Sequence, residues 1–371
     1  MKTIHLATVL LFCAFIFSAC EEEPQLGYTI PDSYIFENVA YNGQTKRLDM
    51  MEEITAYIKT AHVDNAPALD ASKIKDMYGN NTGNYFSTAE LNNASNQLKN
   101  KTISSDTANF MSYMDAVAFA SQSTGMNAAD GQAGIIASNA GVKYLVNANG
   151  VELTQIIEKG LMGACFYYQA TAVYMGSGKM DVDNNIIEPN EGTAMEHHFD
   201  EAFGYFGAPT DFPSNLSGVR FWAKYANKVN AAYTSLNSSL MHNFLKGRAA
   251  ISNNDLTARD EAIIELRKEW ELAVAGAGIY YINKALENLG SDIGKAHHEL
   301  SEAFAFVMSL KYGYGTGSIS AAQVNQILED AFGSADPLQA NLYSTTAAKL
   351  ETAKTALVGY LSALAPYKDS L

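Results

Sequence analysis

The sequence is poor in cysteine: three occur among 371 residues, and two of them fall within the first twenty. If that leading segment is cleaved, Cys165 is the one thiol left beside Cys20, which excludes a disulfide framework. Stability must therefore come from the burial of apolar side chains. The chain is long enough for one large domain or two moderate ones.

Basic residues are also scarce, with 25 Lys and Arg against 40 Asp and Glu, for a formal net charge of -15. An acidic chain repels phosphate backbones, so nucleic acid is excluded as a partner class. Motifs of nucleotide and hydrolase chemistry are missing as well: there is no Gly-rich phosphate loop, no G-x-S-x-G and no Cys-His dyad. Beyond the N-terminus no apolar run is long enough to cross a bilayer.

The first residues, MKTIHLATVLLFCAFIFSAC, have the pattern of a bacterial lipoprotein signal. An apolar run from Leu6 to Phe17 ends in Ser18 and Ala19 before Cys20, which resembles a lipobox. We predict a signal peptide over residues 1–19 and a lipid on Cys20. The acidic run that follows resembles the surface-export signal of Bacteroidetes lipoproteins. The expected location is the cell envelope, as a surface-exposed outer-membrane lipoprotein; an ordinary secretory signal is the alternative.

The mature chain is expected to be all-α. Residues 20–45 contain turn-forming Pro and Gly and are predicted to form a lipidated tether and an extended segment. Apolar residues then recur at steps of three and four, and alternating strand patterns are scarce. We predict two helical bundles, over 46–212 and 213–371. The helical stretches begin at about residue 45 and continue over 87–100, 106–125, 130–146, 152–175, 193–206, 217–247, 255–289, 293–311, 320–333 and 344–366.

A short pattern occurs twice. EHHFDEAFGYF and AHHELSEAFAFV share H-x-x-x-E-A-F, with His197 aligned to His298 and Glu201 to Glu302. Upstream of each lies a related stretch, GACFYY at 163–168 and GAGIYY at 276–281. Two matches in the same order favour an internal duplication, so we expect two pseudo-symmetric halves. Chance similarity between Ala- and Tyr-rich helices is the alternative.

Both copies place a His and a Glu four residues apart, on one face of a helix. If the helices of the two copies are adjacent, two imidazoles and two carboxylates could hold Zn, Fe or Mn. The candidate metal ligands are His197, His198, Glu201, His298 and Glu302. The alternative is that each pair is a buried hydrogen bond without any ligand.

The residues around these pairs are expected to have other roles or positions. Thr193 and Glu196 have the spacing of a capping box, which favours a structural role for Glu196. Some of the residues off the shared register, namely His198, Asp200, His297 and Glu299, are expected on the surface. Cys165 lies in an apolar stretch and is expected in the core.

Two further stretches are weaker candidates. The loop DVDNNIIEPNE offers alternating oxygen ligands for calcium, from Asp181, Asp183, Asn185 and Glu188. It is not an EF-hand, because Ile186 occupies the position that requires Gly; a solvated acidic loop is the alternative. In FLKGRAAI, Lys246 and Arg248 form a basic spot that could hold a carboxylate or phosphate, or could simply mark a helix end.

Together the lipobox, YNGQTKRLDMMEEITAYIKTA, EHHFDEAFGYFG, FLKGRAAI and HELSEAFAFVMSLKYG resemble an uncharacterised-domain family of Bacteroidetes lipoproteins. That family is distantly similar to imelysin-like proteins, which implies two helical bundles related by duplication, a role in iron uptake and a metallopeptidase label. The imelysin-like motif is G-x-H-x-x-E. Here His198 to Glu201 keeps H-x-x-E, while Glu196 replaces the Gly, which weakens the peptidase implication most.

The leading hypothesis is a lipoprotein that binds a metal ion or an iron-containing ligand, with an outer-membrane transport protein as partner. A metallopeptidase is the first alternative, although neither copy has the H-E-x-x-H of zincins. A non-catalytic, partner-binding helical scaffold is the second alternative.

Overall fold

The computed structural model describes residues 26–371 except 82 and 316, so the predicted signal peptide and Cys20 lie outside the described residues. The helices are α1 Asn42–Lys59, α2 Ala71–Gly79, α3 Ala89–Asn92, α4 Thr107–Ala120, α5 Leu153–Leu161, α6 Ser177–Met180, α7 Ala194–Phe206, α8 Phe221–Asn230, α9 Leu236–Ser252, α10 Leu256–Asn288, α11 Ile293–Ser309, α12 Ala321–Phe332 and α13 Ala347–Tyr360. Two π-helical segments, Met162–Tyr167 and Gln169–Tyr174, continue α5. The predicted all-α class is confirmed.

Two small hairpins interrupt the helices. Strand β1, Gly134–Ala137, pairs antiparallel with β2, Lys143–Val146, and strand β3, Ile187–Glu188, pairs with β4, Gly192–Thr193. The predicted helix over 130–146 is therefore wrong. Gly131 and Gly141 there have φ of +81°, which ends a helix, and the β-branched residues between them favour strands.

Helix α10 is the centre of the fold. Its 33 residues span about 50 Å, and the Asp255 side chain caps its first turn by accepting a hydrogen bond from Ala258 N at 3.0 Å. Helices α8, α9, α11 and α13 all pack against it. Because neighbours surround the middle of α10, every residue from 269 to 279 is buried, and the small Ala and Gly side chains in this stretch allow the close approach.

One apolar core runs across the predicted boundary between residues 212 and 213. Helix α5 packs against α11, and α7 packs against α9, so each half contributes to the core of the other. The C-terminal segment also belongs to this body, because Asn283 Nδ2 donates to the carbonyl oxygens of Lys368 and Leu371 at 2.9 and 2.8 Å. The two-bundle boundary and the duplication stay predictions.

Gly163, the glycine of GACFYY, has a packing role that predicts a stability effect. A Cβ at Gly163 would lie 2.3 Å from Ser309 Oγ and 2.9 Å from Ser309 Cα, so α11 would have to shift. We expect Gly163→Ala to destabilise the fold by about 1–3 kcal/mol in urea unfolding, by overpacking. Gly178→Ala is the control, because a Cβ there meets nothing within 4 Å. Equal midpoints for the two variants would contradict this packing role.

Candidate functional site

The first turn of α7 is fixed by the predicted capping box, which is confirmed. Thr193 Oγ1 accepts from Glu196 N at 3.1 Å, and Glu196 Oε2 accepts from Thr193 N at 2.9 Å. The other carboxylate oxygen of Glu196 accepts from Arg248 Nη1 at 2.6 Å and from Ser252 Oγ at 2.7 Å. All of these contacts are internal, so the structural role of Glu196 is supported.

Arg248 joins α9 to α7 in a buried ion pair. Its Nε donates to Asp200 Oδ1 at 2.9 Å, and both side chains are 0% exposed. The Tyr34 hydroxyl donates to the same oxygen at 2.8 Å. Burial disfavours the charge of Arg248, yet the Asp200 carboxylate raises the pKa of Arg248 above its ordinary value. The carboxylates that the predicted basic spot holds are thus the chain's own, while Lys246 pairs with Glu261 at 3.1 Å.

Glu201 is the centre of the first His-Glu group, which we name the α7 group: Gln44, Tyr174, His197, His198 and Glu201. Glu201 Oε1 accepts from Gln44 Nε2 at 2.8 Å. Its Oε2 lies 3.3 Å from His198 Nδ1 and 3.8 Å from His197 Nε2. Burial, and next the nearby Glu201 carboxylate, raise the pKa of Tyr174. Three protein groups besides His197 therefore already surround this carboxylate.

The second pair belongs to the α11 group: Glu152, Lys159, Tyr281, His298 and Glu302. His298 Nδ1 lies 2.6 Å from Glu152 Oε2, and its Nε2 lies 3.6 Å from Glu302 Oε2. Glu302 Oε1 in turn lies 3.6 Å from the Lys159 ammonium. Except for His298, whose side chain is 25% exposed, the charged side chains of this group are at most 5% exposed. The imidazole therefore lies between two carboxylates at the edge of the core.

Charge in the α11 group is balanced by proton binding to His298. Burial disfavours the imidazolium, but the Glu152 carboxylate outweighs it and raises the pKa of His298 to about 9. Burial likewise disfavours ionised Glu152, yet its pKa is lowered, chiefly by His298. The pKa of buried Lys159 is raised by Glu158 and Glu302. At neutral pH the His298 imidazolium therefore faces the Glu152 carboxylate.

The two groups have the same order of contacts. Lys101 Nζ donates to Tyr174 OH at 2.9 Å, and Tyr174 faces the Glu201 of its His-Glu pair. Lys228 Nζ donates to Tyr281 OH at 3.2 Å, and Tyr281 faces Glu302. Each His-Glu pair thus ends a lysine–tyrosine–glutamate–histidine chain. Tyr281 belongs to GAGIYY, whereas Tyr174 lies six residues after the end of GACFYY.

The five predicted metal ligands fall into these two groups. Helix α7 packs against α1, α9 and the π-helical segment 169–174, whereas α11 packs against α5, α10 and α12. Glu201 and Glu302 therefore have different neighbours. Within residues 26–371, apart from 82 and 316, no three His, Cys, Asp or Glu side chains are placed to hold one metal ion.

The residues off the shared register are more buried than expected. Asp200 and His297 are 0% exposed, and Glu299 is 5% exposed. His297 Nδ1 lies 2.8 Å from the Gly150 carbonyl oxygen and therefore donates to it. The expectation of surface positions was wrong for these three, because each finds a polar partner inside the fold; that of Glu299 is Asn288, at 2.8 Å. Cys165 is buried as predicted, and burial raises its thiol pKa to about 12.

The predicted calcium loop binds its own backbone. Asp183 Oδ2 accepts from the backbone N–H groups of Asn185 and Ile186 at 3.1 and 2.9 Å, and Asn185 Nδ2 donates to Asp183 Oδ1 at 3.1 Å. These hydrogen bonds lower the pKa of Asp183. The side chains of Asp183 and Asn185 thus form a local turn, and Glu188 lies exposed on β3.

Sequence reasoning did not find Gln44, Glu152, Lys159 or the two tyrosines. Glu152 lies 146 residues from His298, and GVELTQ has no pattern that separates it from a surface carboxylate. The one available signal was the Tyr shared by GACFYY and GAGIYY, which includes Tyr281 but not Tyr174, because a phenol next to a His-Glu pair can be its partner.

Comparison with known families identifies one match. A family model described as Domain of unknown function (DUF4856) matches residues 31–335. No curated protein and no solved structure matches the chain. Among the helices of the described residues, none combines the length and the apolar character that crossing a bilayer requires.

Proposed function

The chain belongs to the family defined by the domain of unknown function DUF4856, and on that premise we propose that it is a non-catalytic helical binding protein of the cell envelope. A lipid on Cys20 would hold it at the outer membrane, where it would bind a partner or a small ligand. One observation carries the proposal: both His-Glu pairs are already bonded to side chains of the chain itself. They act as internal polar contacts rather than as a reaction centre.

A metal ion does not fit the α11 group. Metal binding requires a neutral imidazole, whereas the pKa of His298 is raised to about 9, so an ion would have to displace a firmly held proton. Both ring nitrogens already face carboxylates. The Lys159 ammonium beside Glu302 repels a further cation.

Neither a metal centre in the α11 group nor the Cys165 thiol offers a group for catalysis. A metallopeptidase needs a bound ion with an open coordination position, and the α11 group does not fit one. The Cys165 thiol is buried and its pKa is raised to about 12, so it forms no thiolate at neutral pH. These features favour binding over chemistry.

Metal or iron capture is the second candidate, and the α7 group favours it. His197 Nε2 and His198 Nδ1 both face Glu201 Oε2, and His197 Nδ1 is buried without a partner among the described residues. An ion would enter if the two rings rotated toward it and Gln44 released the carboxylate. Such a site would have few protein ligands and would leave positions for an iron-bound ligand.

Thermal unfolding with added ions tests the proposal. We expect Zn²⁺, Mn²⁺, Fe²⁺ and Fe³⁺, each in excess over chelator-treated protein, to leave the Tm of the mature chain unchanged within about 1 °C. Binding to the native state at a hundred times Kd would add about 2.7 kcal/mol and raise Tm by several degrees. The matched variants are Glu201→Gln and Glu287→Gln, the latter an exposed carboxylate on α10. A saturable rise that Glu201→Gln alone abolishes would replace the proposal by metal capture.

A further inference from the structure

Arg267 on α10 is a partly buried cation without a carboxylate partner among the described residues. Its Nε donates to the Thr171 carbonyl at 3.0 Å and its Nη2 to the Met175 carbonyl at 2.8 Å. These contacts hold the guanidinium at the end of the second π-helical segment. Its Nη1 makes no hydrogen bond to a carboxylate or carbonyl oxygen of a described residue, and the Tyr314 side chain is its other polar neighbour. In a chain with 40 acidic and 25 basic residues, an unmatched guanidinium is unusual.

The nearest carboxylate on the helix, Glu271, is already used. Both of its oxygens accept from Ser318 N, at 2.9 and 3.0 Å. A Cβ at Gly317 would lie 2.5 Å from Glu271 Oε1, so glycine allows the loop to approach this closely. Although Arg267 and Glu271 are four residues apart, no ion pair within 4.0 Å joins them. Glu271 therefore holds the loop and leaves the charge of Arg267 unpaired.

A cleft of about 440 Å³ adjoins this guanidinium. The Tyr314 ring covers one face of Arg267, with 3.4 Å between the guanidinium carbon and the ring centroid. The apolar side chain of Ile264, 60% exposed, and the ammonium of Lys268 lie on the same wall. A second depression of about 370 Å³ shares Ile264, Arg267 and Tyr314 with the first. Lys268 pairs with Glu265 at 3.0 Å, and Glu271 also lines the cleft, so Arg267 supplies the unpaired positive charge beside the aromatic and aliphatic surface.

We propose that this cleft binds a small organic acid, with its carboxylate on Arg267 Nη1 and its apolar body against Ile264 and Tyr314. The assignment rests on the proposed binding function and names its ligand class. A carboxylate would form a charge-assisted hydrogen bond with the partly buried guanidinium. Because the overall negative charge of the chain also opposes an anion here, the local contact with Arg267 has to supply the attraction.

Titration calorimetry and NMR with the mature chain test the assignment, using benzoate, acetate, inorganic phosphate and benzyl alcohol as probes. We expect benzoate to bind with a Kd on the order of 0.1–1 mM, as suits a ligand of its size. Acetate lacks the apolar ring and benzyl alcohol lacks the carboxylate, so each should bind at least tenfold more weakly. Phosphate binding as tight as that of benzoate would show that charge alone is recognised and would overturn the organic-acid assignment.

Variants locate the site. Arg267→Gln should weaken benzoate binding at least tenfold, and Tyr314→Leu should weaken it severalfold. Lys284→Gln is the control, because it removes the same charge from a partly exposed position on the same helix, where Lys284 pairs with Glu287. Unfolding curves confirm that each variant is folded. Absence of saturable benzoate binding, or equal affinity in Arg267→Gln, would overturn the assignment of this cleft as a binding site. The proposed function is tested separately, by the melting curves with added ions.

Discussion

Arg248→Met is expected to lower the free energy of unfolding by about 3–5 kcal/mol, the largest effect of any single change considered. The substitution keeps most of the side-chain volume but leaves the Asp200 carboxylate in the core without its cation. Asp200 is 0% exposed, so water cannot replace the lost partner. Glu196 would also lose the 2.6 Å contact that ties the start of α7 to α9. Urea unfolding followed by circular dichroism measures the difference.

Arg220→Met is the matched control. Arg220 also contacts two carboxylates, Asp49 at 2.7 Å and Glu52 at 2.8 Å, but these partners are 41% and 54% exposed. Solvent screens such pairs, and the expected loss is at most about 1 kcal/mol. In a second control, Asp200→Leu combined with Arg248→Met should recover part of the stability, because no unpaired charge is left buried. Equal losses for the two single Arg variants would refute the claim that burial makes the pair important.

His298→Gln is expected to lose about 3 kcal/mol of stability at pH 6 and much less above pH 9. A rise of the folded-state pKa from 6.5 to about 9 corresponds to about 3 kcal/mol. Because this pKa is raised on folding, the stabilisation is complete below pH 6.5 and is lost as pH rises through about 9. The difference between wild type and variant should therefore shrink over this interval.

The measurement is urea unfolding of both proteins at a series of pH values. His242→Gln is the control, since His242 is exposed, and its unfolding free energy should stay close to that of wild type at each pH. A constant difference between His298→Gln and wild type from pH 6 to pH 10 would show that the ring contributes by packing alone. Its stack on Tyr144, with ring centroids 4.6 Å apart, is the contact that would then account for the effect.

The sequence predicted most of the long helices because apolar spacing reports which face of a segment is buried, but it missed α2, and only α3 is helical within the predicted stretch 87–100. It did not predict the hairpin of residues 134–146. There Ile135, Ile136 and Val146 give an apolar pattern that fits either a helix or a strand at this length, and the positive φ of Gly141 decides the outcome. Likewise the predicted single stretch 217–247 contains two helices, α8 and α9, separated by a turn at residues 231–235. The sequence did not indicate this turn, because it contains no Pro or Gly.

The candidate site could be predicted only within each helix. Residues four apart on a helix are neighbours whatever the tertiary fold, so the contacts of Glu201 with His197 and of Glu302 with His298 followed from spacing. Their other partners come from distant segments. Gln44 reaches Glu201 from α1, and Glu152 reaches His298 from the start of α5. Only the packing of whole helices determines which carboxylate is buried beside which imidazole.

The central claim is that His298 of the α11 group is protonated and forms an internal ion pair. An NMR titration of the His298 ring in the mature chain tests this claim directly. Ring nitrogen and carbon shifts, assigned with His298→Gln, give the pKa with and without one equivalent of Zn²⁺. We expect a midpoint near 9 that the ion leaves unchanged. A midpoint near 6.5, or ring signals that move on addition of the ion at neutral pH, would contradict it.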